Sequence, residues 1–333
     1  MSGTVRVLVT GAGGFIGHRL VSFLKQQGYW VRGVDVKLPA YEPSAADEFL
    51  QIDLRSAWSC LAATCRIQEV YHLAADMGGM GYISANHATI LRNNALIDLN
   101  ALEAAFAGHA RRFLYASSAC VYPEYLQTSP YVEPLREEDA YPAQPQDAYG
   151  WEKLIAERLC LHYREERGLE TRIARFHNIF GPLGTWEGGR EKAPAALSRK
   201  IAVAKLTGNP QVEIWGDGEQ TRSFCYVDDC VAGLFRLMRS DYYEPLNIGQ
   251  DRMISINELA DLIAAIAGVE IEKVHVEGPE GVRGRNSDNA RLRRVLGWEP
   301  EIPLEVGLAY TYAWIEEQVA ASISVPVPVL ATA

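Results

Sequence analysis

Apolar and polar positions follow two alternating rhythms along the chain. VRVLV at 5–9 is a short apolar run that stops on glycines. FIGHRLVSFLKQQG at 15–28 then carries apolar residues at helical spacing. WVRGVD at 30–35 and VYHLAA at 70–75 are again short runs and predict strands. NNALIDLNALEAAFAG at 93–108 predicts a helix, RRFLYASSACVY at 111–122 a strand, and AYGWEKLIAERLCLHYREERG at 148–168 a long helix ended by Gly168. TRIARFHNIFGP at 171–182 reads as another strand. Strands alternating with helices predict a parallel sheet covered by helices on both faces.

Past residue 180 the rhythm loosens. GTWEGGREKAP at 184–194 is glycine-rich and charged, which predicts a loop. PAALSRKIAVAKLTG at 194–208 looks helical, and VEIWGDG at 212–218 holds a short strand. FCYVDDCVAGLFRLMR at 224–239 resumes strand and helix, and PLNIG at 245–249 is one more strand. SINELADLIAAIAG at 255–268 is a helix with Ser255 as N-cap and Glu258 three residues on, a capping box. EGPEGVRGRNSDN at 277–289 reads as a polar, arginine-bearing loop, and a last helix runs over 303–322. The tail at 323–333 contains two prolines and predicts an extended arm.

The 333 residues are 48% hydrophobic and 22% charged, which suits one large or two coupled globular domains. A net charge of −10 argues against a general nucleic-acid partner, since phosphate binding needs a basic surface. No run approaches the roughly 20 apolar residues of a membrane span, and no export signal is recognisable. The six cysteines form no CxxC pair, so no metal site is expected. Reduced thiols in a cytoplasmic protein are expected.

Gly11, Gly14 and Gly17 lie between the first strand and the first helix, with Phe15 and Ile16 at the helix start. Such glycines allow a tight turn and turn the helix N-terminus toward a pyrophosphate. Asp35 ends the second strand, where a carboxylate can accept from both ribose hydroxyls and repel a 2′-phosphate, favouring NAD over NADP; Lys37 works against that preference. Asp53 is placed to meet the adenine, or is a surface residue. Tyr149 and Lys153 form YxxxK on one helix face. An ammonium one turn away, together with the nicotinamide charge, stabilises the phenolate of a group whose free pKa is about 10. Ser118, at the end of a strand, would hydrogen-bond the same substrate oxygen.

Glycine turn, serine-bearing strand and YxxxK together resemble the extended short-chain dehydrogenase/reductase family over nearly the whole chain, Gly11 to about Glu317. The resemblance implies a Rossmann-type doubly wound parallel sheet with a smaller discontinuous α/β substrate domain. The division expected is 1–178 plus 226–256 for NAD and 179–225 plus 257–322 for a nucleotide sugar. ADMGGMG at 75–81, SSAC at 117–120, GGREKAPAA at 188–196, QTRSF at 220–224 and EGVRGRNSDN at 280–289 resemble one branch, the GDP-mannose 3,5-epimerases. Trp151, inside YxxxK, replaces an aliphatic residue, and the proline-bearing tail lies outside the pattern.

That resemblance implies NAD as cofactor, GDP-mannose as substrate and a homodimer formed by the helices at 92–107 and 149–167. It maps an acid/base pair onto Cys120 and Lys192. Taken alone, Cys120 is core filling and Lys192 a loop charge. Beside a 4-ketone, which acidifies the hydrogens on carbons 3 and 5, a thiol with an ordinary pKa of about 8.5 can exchange protons. Lys200, Arg222 and Arg285 are placed around diphosphate and sugar, with Asn178, Gln220 and Thr221 as polar partners. Gly78, Ala119, Glu191 and Ala193 complete the implied substrate contacts. A nucleotide-sugar 4-epimerase with Cys120 incidental, and a non-catalytic NAD-sensing protein, are the alternative readings.

Overall fold

The computed structural model describes residues 4–324. Seven parallel strands form the central sheet. In space their order is Pro245–Ile248, Glu170–Phe176, Arg112–Ser118, Glu69–His72, Arg6–Thr10, Trp30–Asp35 and Glu48–Gln51. The chain builds outward in both directions from Arg6–Thr10, so the strand order reverses between that strand and Glu69–His72. Crevices for ligands form at such a switch point, beyond the carboxyl ends of the strands.

Period-two alternation sends neighbouring residues to different cores. Val7 and Val9 join one apolar cluster and Leu8 joins another; Leu114 lies in the first, Phe113 and Tyr115 in the second. The first cluster continues into a second lobe, where helices Ala193–Thr207, Ile256–Ala267 and Leu304–Ser324 pack together. Small sheets accompany these helices. Gln211–Trp215 pairs with Glu272–Val276, and Thr221–Ser223 lies between Met253–Ser255 and Gly284–Arg285.

The Ser255–Glu258 capping box forms, with both reciprocal hydrogen bonds present. Gly168 ends the helix Ala148–Arg167 in the left-handed conformation, at φ 73°. Other expectations need correction. Met253–Ser255, assigned from sequence to the first domain, pairs with Thr221–Ser223 of the second lobe. The strand expected at 171–182 breaks at Asn178, where φ is +44°, and resumes as Ile179–Phe180. The last helix reaches Ser324, so the proposed arm does not begin at 323; the rest of it lies outside the described residues. Among the described residues no helix is long and apolar enough to cross a membrane.

Candidate active site

A cavity of 860 Å³ is lined by Gly11, Asp35 and Ser118 at the ends of three sheet strands and, across from them, by the helix Ala193–Thr207. At one end lies the glycine turn. Gly11 has φ +71°, and a Cβ there would stand 2.9 Å from the Ala74 nitrogen. A Cβ on Gly17 would stand 2.1 Å from the Gly11 carbonyl oxygen, so the helix could not follow the turn so closely with any side chain. Gly14 caps the helix Phe15–Gln26 without a side-chain hydrogen bond, and its first turn has no acidic residue. Its N–H groups and dipole are left for an anion.

The Asp35 carboxylate is held in place. One oxygen accepts from the Gly13 N–H at 3.0 Å, the other from the Lys37 N–H at 3.2 Å. Sequence reading passed over Gly13. Phe15, Ile16 and Asp53 also line the cavity. Asp53 arrives already paired, accepting from Arg55 Nη2 at 2.6 Å, so Arg55 adds a cation that sequence reading missed. The uncapped helix end and the fixed carboxylate suit a dinucleotide: pyrophosphate at Gly14–Gly17, adenosine ribose at Asp35. Asp35→Ala is expected to weaken NAD binding about tenfold or more, the scale of a lost hydrogen bond to a charged group. The preference over NADP narrows accordingly. Fluorescence titration with both dinucleotides checks this, and wild-type binding of NADP equal to that of NAD would defeat it.

At the other end, Ser118 finishes its strand and its hydroxyl oxygen accepts from the Cys120 N–H at 3.1 Å. That bond turns the chain into the short helix Ala119–Val121 and stops the strand expected to run on to 122. The helix Ala148–Arg167 meets this turn. A Cβ on Gly150 would stand 2.2 Å from the Cys120 carbonyl oxygen, so glycine is required where helix and turn touch. Tyr149 is thereby packed beside Cys120, and Ser118 acts to lower its phenol pKa.

Burial pushes the Tyr149 phenol above its usual range, against the opposing pull of Lys153 and Ser118. The sequence expects Lys153 together with the nicotinamide charge to stabilise the phenolate, and Lys153 itself rests on a buried network. Lys153 donates to the Tyr115 hydroxyl at 3.0 Å and lies 3.9 Å from both Asp98 and Glu152. Burial alone would lower the ammonium, but Asp98 and Glu152 outweigh it and Lys153 stays charged. Burial pushes Glu152 up to about 9, while Asp98 is held well below the usual carboxylate range. These groups titrate together, and much of the positive field of Lys153 is spent on Asp98. His72 and Thr10 extend the network, with contacts of 2.9 Å each.

The cavity wall opposite is cationic. Lys192 is open to the cavity yet enclosed by protein, and this enclosure lowers its ammonium pKa; the strongest opposing influence is Cys120. Arg285 donates to the Cys120 sulfur at 3.3 Å. Burial, with repulsion from Arg285, pushes Arg222 down to about 9. Lys200 donates to the Glu213 carbonyl at 2.7 Å. Asn178 donates to the Ser223 carbonyl at 2.9 Å. Glu191 and Gln220 each keep one buried side-chain oxygen without a partner, and both line the cavity, so a ligand donor could satisfy them. Gly78, Ala119 and Ala193 also line it. Thr221 does not: its hydroxyl donates to the Pro130 carbonyl at 2.6 Å. Arg190 and Trp215, not singled out from sequence, do.

Comparison with known proteins agrees with this geometry. Residues 7–249 match the NAD dependent epimerase/dehydratase family. GDP-mannose 3,5-epimerase 1 of Oryza sativa subsp. indica is 50% identical over 317 residues, covering 95% of this chain and 82% of that protein. The structure of a UDP-glucose 4-epimerase from Thermotoga maritima superposes with a TM-score of 0.85 at 28% identity, covering 95% of this chain and all of that one. MoeE5, solved with UDP-glucose and NAD, has a TM-score of 0.79 at 31% identity, covering 94% and 99%.

Proposed function

The chain belongs to the NAD dependent epimerase/dehydratase family, and from that premise we propose that it is a GDP-mannose 3,5-epimerase. It converts GDP-D-mannose to GDP-L-galactose, and to GDP-L-gulose when carbon 5 alone inverts. One observation carries this reading. The alcohol-oxidising set Ser118, Tyr149 and Lys153 shares its cavity with a thiol, Cys120, and with Lys192, an ammonium whose pKa is lowered by enclosure.

NAD held at the glycine turn and Asp35 supplies the hydride acceptor and a positive ring charge. Tyr149 takes the proton of the carbon 4 hydroxyl, and Ser118 holds that oxygen. With carbon 4 a ketone, the Cys120 thiolate removes the neighbouring proton: the C–H bond breaks, S–H forms, and the electron pair moves to the carbon 4 oxygen. Lys192 returns a proton to the same carbon, which inverts it if it approaches the other face. Arg222 and Lys200 bind the diphosphate, Arg285 faces the sugar from beside Cys120, Asn178 and Gln220 are polar neighbours, and the free Glu191 oxygen accepts from a sugar hydroxyl. Incubating GDP-mannose with the purified protein and identifying products by NMR tests the reading. Unchanged substrate, or only the carbon 4 epimer, would end it.

The enzyme works as a homodimer in the cytoplasm. The helices His87–Ala107 and Ala148–Arg167 lie side by side and leave Leu91, Leu99, Trp151 and Ile155 between 39% and 62% exposed. Apolar exposure gathered on one helix pair supports an interface there. Six free thiols fit a reducing compartment. Ile155→Glu is expected to shift sedimentation from dimer to monomer; a wild-type protein that sediments as a monomer would refute the interface.

A further inference from the structure

Gln127 has no part in the mechanism above, yet its side chain is 1% exposed and fully engaged. Its Nε2 donates to the carbonyls of Tyr122 and Pro123, at 3.1 Å each. Two carbonyl partners fix which way the amide faces, because only the NH₂ end can donate. The Oε1 atom therefore turns toward Arg285 and accepts from its Nε at 2.6 Å. The backbone carbonyl of Gln127 accepts from the N–H groups of Arg283 and Gly284 at 2.9 and 3.3 Å. A Cβ on Gly284 would stand 2.3 Å from the Ser129 carbonyl oxygen, so strand and loop are in close contact. One residue thus holds Gly284–Arg285 by both backbone and side chain. A guanidinium is planar and rigid, so fixing Nε fixes the direction of Nη1, which meets the Cys120 sulfur at 3.3 Å.

We propose that Gln127 is a positioning residue for proton transfer at Cys120: it clamps Arg285 so that the guanidinium stays against the sulfur while the thiol ionises. This rests on the acid/base role given to Cys120 above. A cation beside a thiol favours the thiolate. Lys192, Arg222 and Tyr149 also face Cys120, but none of them is the sulfur's hydrogen-bond partner. Freed from Gln127, Arg285 can swing toward the substrate's phosphates, and the sulfur loses the cation nearest to it.

Iodoacetamide alkylation of Cys120 in the NAD-loaded enzyme, followed by peptide mass spectrometry, tests this without turnover. In Gln127→Met the rate at neutral pH is expected to fall about tenfold. In alkali, where every thiol is ionised, it matches wild type. Gln127→Glu shifts the same way, because its carboxylate cancels the charge of Arg285. Alkylation of exposed Cys65 serves as the unchanged reference. The double variant with Arg285→Gln is no slower than Arg285→Gln alone. During turnover, solvent deuterium entering at carbons 3 and 5 falls about tenfold in Gln127→Met, and hydride transfer keeps its wild-type rate. Wild-type alkylation in both variants, additive losses in the double variant, or a parallel fall in hydride transfer would each overturn the proposal. If GDP-mannose is not the substrate, wild-type enzyme gives no epimerised product, and the alkylation comparison still decides the role of Gln127.

Discussion

Tyr149→Phe lowers turnover of GDP-mannose by about 10³-fold or more, within the range for losing a positioned acid–base group. The ring stays and keeps its packing against Ile83 and Ile90. Only the hydroxyl goes, and with it the acceptor for the carbon 4 proton. Without a ketone at carbon 4 nothing acidifies the hydrogens at carbons 3 and 5, so both epimerisations stop together. Lys153→Ala abolishes turnover nearly as fully but differs in stability. Its ammonium is 2% exposed and sits between Asp98 and Glu152, so its removal leaves a buried carboxylate without its cation. Breaking such a pair costs about 3–5 kcal/mol. Thermal unfolding should therefore show Tyr149→Phe close to wild type and Lys153→Ala markedly lower. Near-normal turnover in Tyr149→Phe would end the mechanism. Equal melting temperatures would mean that Asp98 and Glu152 adjust their protons when Lys153 is lost.

The parts of this site that are legible in sequence are those whose chemistry is local. Glycines between strand and helix, a carboxylate ending the next strand, and a tyrosine and lysine one turn apart each announce themselves by spacing. What escaped depends on distant segments. Asp98, Tyr115 and Glu152 look like ordinary helix and strand residues, and only the fold gathers them under Lys153. Gly150 reads as a flaw in a helix until the turn at Cys120 is packed against it. Gln127 stands in an irregular loop, and its partner Arg285 is 158 residues away. Thr221 failed in the opposite way: it shares a block with Gln220 and Arg222, but alternation along a strand turns its hydroxyl to Pro130. The short strand Glu48–Gln51 was missed because a four-residue edge strand carries little apolar pattern.

Cys120→Ala separates the two halves of the reaction. Tyr149, Lys153 and Ser118 remain, so adding GDP-mannose still gives the absorbance of reduced nicotinamide. Epimerised product falls by about 10²-fold or more. Isotope placement says why. Hydride moves directly between sugar and cofactor, so the hydrogen at carbon 4 never meets water. Hydrogens at carbons 3 and 5 pass through a thiol and an ammonium, both of which exchange with solvent. Wild-type enzyme in deuterated water therefore places deuterium at carbons 3 and 5 and none at carbon 4, and Cys120→Ala loses nearly all of it. Alanine leaves Arg285 without the sulfur its Nη1 meets at 3.3 Å, but Gln127 still holds the Nε, so the cavity keeps its charge and substrate binding changes little. A drop confined to proton exchange, with hydride transfer and binding intact, is the signature of a lost acid–base group. Absence of solvent deuterium from the wild-type product would instead favour a 4-epimerase, and full activity in Cys120→Ala would return the thiol to a packing role.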